Sequence, residues 1–168
     1  MNWLDVVLIL ILVAAVIVEA IRGFGRAAFD ALALYGVLWL SSIAAAPFAK
    51  ALPLSSDPNI AHAYAYAIVA VVGAGVGLLL SHFAYQNMLL SAGMFDHFLG
   101  LVLGVFVGMM FSHAVVRSIA MTDPNGNGTA AVVSSGQVSS ELYDFHNYHT
   151  VVDQITGAAN YHREINLQ

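Results

Sequence analysis

The chain contains no cysteine, so it can build no disulfide, thiolate nucleophile or cysteine metal site. Charge is nearly as scarce. Asp, Glu, Lys and Arg together make up 9% of residues, where a soluble domain carries about 25%. Only 5 residues are Lys or Arg against 10 Asp or Glu, giving a net charge of -5. This balance excludes nucleic acid as a partner and argues against electrostatic recruitment to acidic lipid. Recognisable catalytic strings are missing too: no G-x-S-x-G, H-E-x-x-H or P-loop pattern occurs. No enzyme activity and no cofactor are expected on these grounds. What is abundant is apolar surface, with 60% hydrophobic residues.

That surface is concentrated in long uncharged runs. No charged side chain lies between Asp57 and Asp96, and further runs span Val6 to Val18, Ala31 to Ala49 and His97 to Val116. A hydrocarbon core about 30 Å thick is crossed by about 20 apolar helical residues. The sequence therefore predicts an all-α integral membrane protein with four transmembrane helices, at about 3–22, 28–49, 60–90 and 96–119. The first run resembles a signal peptide only superficially. It has Asp5 and no Lys or Arg before it, and no small-x-small site follows before Glu19, so it is expected to stay as a membrane helix.

Punctuation separates the helices. Arg22-Gly23-Phe24-Gly25-Arg26 reads as an interfacial turn, Pro47 and Pro53 bracket the end of the second helix, and Ser91-Ala92-Gly93 ends the third. From Thr122 the composition turns polar. Residues 1–121 are expected to form the membrane domain, 122–138 a flexible linker and 139–168 a polar tail. The tail's spacing of Leu142, Phe145, His149, Val152 and Ile155 predicts a short amphipathic helix over about 140–158. It is acidic and so is expected to pack on protein rather than on anionic lipid.

The polar residues inside or beside these runs are the candidate sites. Asp5, Glu19 and Asp96 are expected at the membrane boundary, with Glu19 able to pair with Arg22 at i,i+3. An acid at Glu19's depth is also a functional candidate by position. His82 and His113 are weighed as a relay or ligand pair against a structural role, and the structural role is preferred. His146, His149 and His162 could hold zinc, but no cysteine or supporting carboxylate spacing favours a metal there. Gly100, Gly104 and Gly108 form one stripe, repeated by Gly73 and Gly77, which predicts close helix packing, within the chain rather than between copies.

The strings Met1-Asn2-Trp3-Leu4-Asp5, Ile21-Arg22-Gly23-Phe24-Gly25-Arg26 and Gly93-Met94-Phe95-Asp96-His97-Phe98-Leu99-Gly100, with Gly104 and Gly108, resemble the CvpA (colicin V production protein) family over about residues 1–119. That family's pattern has an aspartate opening helix one, an R-G-F-x-R-E turn, and D-R-x-L-G-x-x-x-G-x-x-R-G opening the last helix. Ala27, His97 and Val107 stand where the pattern has Glu, Arg and Arg. The resemblance implies a bacterial inner-membrane protein with four helices, linked to colicin V production or export and to envelope homeostasis, without catalysis.

Three readings follow: a protein that works by associating with other membrane proteins or with itself, a small homo-oligomeric transporter or channel using Glu19, His82, Asp96 or His113, and an accessory subunit of a larger complex. Arg22, Gly23, Phe24 and Arg26 form the candidate interaction surface, because paired guanidiniums bind phosphates or carboxylates bidentately. Lys and Arg divide evenly between the two ends of the helices. The resemblance tips the expected orientation to a cytoplasmic Arg22 to Arg26 loop and external termini.

Overall fold

The computed structural model describes residues 2–52, 54–86, 93–123, 125 and 127–144. Four long helices dominate: α1 (Trp3–Arg22), α2 (Phe24–Ala51), α3 (Pro58–Gln86) and α4 (Asp96–Ala120). Each is long and apolar enough to cross a membrane. Two short helices follow, α5 (Ala131–Ser135) and α6 (Gln137–Asp144). The protein is therefore an all-α, four-span membrane protein with short C-terminal helices.

Local chemistry sets the helix ends. Asn2 opens α1 with a capping box: its side-chain oxygen accepts from the Asp5 N–H at 3.0 Å, and the Asp5 carboxylate accepts from the Asn2 N–H at 3.1 Å. Gly23, at φ 84, alone separates α1 from α2. The expected turn over 22–26 thus contracts to one residue, and Phe24 to Arg26 form the first turn of α2. A glycine is needed there because that backbone conformation strains any L side chain. The second helix also outruns its expected end. It passes through Pro47 to Ala51, because the proline forfeits only one backbone donor while flanking turns hold. At α3, Asp57 accepts from the Asn59 and Ile60 N–H groups at 2.8 and 3.4 Å, with Pro58 in the first helical position, which needs no donor.

The helices pack as two main pairs, α1 with α4 and α2 with α3, and α2 also lies along α4. Glycine sets the first pair's spacing. A Cβ on Gly100, Gly104 or Gly108 would sit 2.6, 2.8 or 2.9 Å from the Glu19 carbonyl, Val16 Cα and Leu12 Cα of α1. The stripe is occupied by backbone of the same chain. Gly73 and Gly77 instead face α2, where Val37 lies 2.9 and 3.1 Å from their would-be Cβ atoms. Without a hydrophobic effect between helices in lipid, such closeness is where dispersion contacts are gained. Outward, Leu10, Ile17, Val71, Val72, Leu79 and Leu80 remain exposed, as lipid-facing surface requires.

The stretch 122–138 is not simply a linker. Its residues 128–135 form a 3-10 turn and α5, and Val133 is fully buried with Leu4, Leu8 and Val116. Burying one such side chain contributes about 1.5–3 kcal/mol toward holding this segment on the helix ends. The Asn-Gly-rich run before it masks this in the sequence. Of the expected amphipathic helix, α6 covers the beginning; the remainder, with His146, His149 and His162, lies outside the described residues.

Candidate functional site

Two polar clusters form at opposite ends of the bundle. The first gathers where α1 ends and α2 begins. Asp30, one turn beyond Arg26 on α2, is fully buried and accepts from Arg22 Nη1 at 3.1 Å and from Arg26 Nε at 3.3 Å on both oxygens. The Ser81 hydroxyl of α3 also donates to it. Arg22 Nη1 additionally reaches Glu19 Oε1 at 3.3 Å, the expected i,i+3 pair. Arg26 is spent further: Nη1 meets His82 Nδ1, and Nη2 donates to the Leu78 carbonyl at 3.5 Å. Since a guanidinium only donates, His82 Nδ1 must accept. His82 Nε2 in turn lies 3.0 Å from the Gln86 side chain.

This geometry changes the standing of the candidate surface. Both guanidiniums bend inward onto Asp30 instead of presenting two parallel forks to a ligand. Arg22 alone keeps exposure, with 42% of its side chain accessible against 13% for Arg26. Asp96 opens α4 with its carboxylate pressed against Gly23, so a Cβ on Gly23 would collide with it. His97 bonds the Ala20 carbonyl at 2.8 Å and must donate from Nδ1. The glycine turn, Asp96 and His97 therefore pin the α1–α2 corner to the start of α4. Ala27 is fully buried and Val107 is 2% exposed beside Leu34 and Ala74, so apolar packing occupies two of the three positions where the resemblance had pointed to charge.

The second cluster lies at the opposite end and was not anticipated. Asp5, expected at the membrane boundary, is fully buried. Besides capping α1, its carboxylate accepts from the N–H groups of Gln137, Val138 and Ser139 at 3.1, 3.1 and 3.0 Å. These are the first three donors of α6, which have no partner within their own helix. One carboxylate thus caps two helix N-termini, where negative charge is favoured. The Asn2 amide donates to the Val132 carbonyl at 2.6 Å, and His113 Nδ1 donates to the Leu142 carbonyl at 2.9 Å. α6 is therefore held by an acid at its start and an imidazole near its end. His82 and His113 sit in different clusters and do not form the relay weighed from sequence.

The sequence carried a signal for part of this. Arg26 and Asp30 stand at i,i+4 on one helix face. The Arg22–Asp30 contact was hidden, because it requires the break between α1 and α2 to be a single residue. Asp5's grip on α6 spans more than 130 positions and has no local signature.

No curated protein and no solved structure matches the chain. A family model described as colicin V production protein matches residues 4–145. Apart from Asn2, both polar clusters fall within that span, and the chain belongs to the colicin V production protein family.

Proposed function

We propose that this protein is a non-enzymatic component of the bacterial inner membrane that supports colicin V production or export, or envelope homeostasis, by associating with other membrane proteins. The observation that carries this reading is that Glu19, Arg22, Arg26 and Asp30 close on one another instead of lining a wet passage. A transporter needs polar groups converging on a water-filled cavity near the midplane. One cavity of about 290 Å³ between α2, α3 and α4 is lined by Leu34, Leu38, Ala70, Met110, Phe111 and similar side chains, with Ser118 as its polar member, and another of about 500 Å³ between α2 and α3 is apolar except for Ser81. Such a lining suits helix or lipid contact.

The test is purification of the tagged chain from its native membrane in mild detergent, with and without brief cross-linking, alongside complementation of a strain lacking it. A defined partner should co-purify, and variants that lose that partner while still inserting should fail to complement. A chain that complements fully while recovered only by itself would contradict the reading. The transporter reading rests on the charged cluster at the α1–α2 corner, and solute flux through reconstituted vesicles would favour it.

A further inference from the structure

We propose that Glu19 is a proton-binding site: of the two acids in the corner cluster, it is the one that carries a hydrogen, while Asp30 is the permanent anion. The division follows from how donors are distributed. Asp30 is fully buried yet saturated, receiving Arg22, Arg26 on both oxygens, and Ser81. Glu19 is 3% exposed and nearly bare. Its Oε1 has only a share of the same Arg22 nitrogen at 3.3 Å, the longer of that nitrogen's two contacts, and Oε2 has no hydrogen-bond partner among the described residues. An ionised carboxylate removed from water is tolerated only when paired and hydrogen-bonded, and otherwise neutralises.

Among the described residues, no neighbouring element supplies what Glu19 lacks. From α4 it faces Gly104, whose absent side chain leaves the Glu19 Cβ room, and the Gly100 backbone beside its carbonyl. From α2, Arg26 is committed to Asp30, Leu78 and His82. On α3, Ser81 is committed to Asp30, and His82 to Arg26 and Gln86. Asp96 lies against Gly23, and His97 bonds Ala20. With Glu19 neutral, the cluster of two arginines and Asp30 carries one net positive charge, which the exposed side of Arg22 leaves to water. Water at that face also supplies and accepts the proton. It is added to Glu19 Oε2, and the contact with Arg22 changes from an ion pair to a hydrogen bond from the charged guanidinium to a neutral carboxyl oxygen. No other Asp, Glu, Lys or Arg lies on α1 between Asp5 and Glu19.

Difference infrared spectroscopy of the full chain in lipid nanodiscs tests this directly. At neutral pH the native protein should show the carbonyl stretch of a buried protonated carboxyl, absent from Glu19→Gln and retained when the exposed Asp57 is replaced by Asn. Glu19→Gln should also unfold at the native temperature, because an amide is the neutral isostere of the protonated acid. A native protein without the band, a band that survives Glu19→Gln, or a Glu19→Gln chain that no longer folds would each overturn the proposal.

Discussion

Asp30 and Asp5 each hold several donors that would otherwise be left unpaired in an apolar setting, so single substitutions there should cost more than their size suggests. Asp30→Asn leaves Arg22 and Arg26 facing a neutral amide. Breaking one side of a buried ion pair typically costs about 3–5 kcal/mol, and thermal unfolding in detergent should register a loss of that order. Arg26→Lys should be harmful for a different reason. One ammonium cannot reproduce contacts to both Asp30 oxygens, the Leu78 carbonyl and His82 at once. Arg22→Lys should be milder, since its guanidinium uses one nitrogen and is partly solvated. Arg22→Lys therefore separates anchoring from recognition: normal insertion and full activity in cells lacking the native copy would leave Arg22 as a structural anchor only. At this scale the pairing of Glu19 with Arg22 was legible in the chain. The role of Asp30 was not, since it depends on Ser81 arriving from α3 and on the corner being one residue wide.

Among the elements, the α1–α4 pair is the most exacting, because backbone meets backbone through Gly100, Gly104 and Gly108. Gly104→Leu has no room to rearrange without moving α1, and overpacking of this kind costs about 1–3 kcal/mol. Gly36, with nothing within 4 Å of a would-be Cβ, is the matched control, and Gly36→Ala should leave the melting temperature unchanged or raised. Equal stability of the Gly104→Leu and native proteins would contradict this account of the pair. The small docked helices offer a second test. Asp5→Ala removes the shared cap, and loss of a cap costs about 0.5–2 kcal/mol. Amide hydrogens of Gln137 to Ser139 should then exchange faster, while those in the middle of α4 keep their protection. Helix number and the position of α1 and α4 were readable from hydropathy alone. The fold of 128–144 was not, since its few apolar residues acquire meaning only against Leu4, Leu8 and Val116.

For the whole molecule, four crossings place the start of α1 and the end of α4 on one side, and the corner with Arg22 and Arg26 on the other. A reporter active only in the cytoplasm, fused after Gln168, should be silent if that corner faces the cytoplasm; activity would reverse the orientation. Among the described residues, neither end presents a continuous polar route through the bundle. The corner cluster is closed by its own ion pairs, α1 and α4 meet through glycine and apolar contacts between the clusters, and Asp5 and His113 at the far end are committed to α6. The central claim is that the charges of this chain serve to hold it together, and its work is done by association. Reconstitution of the purified chain into ion-loaded vesicles tests this most directly. The account predicts leakage no faster than from empty vesicles across neutral and mildly acidic pH; selective flux that is abolished by Glu19→Gln would contradict it.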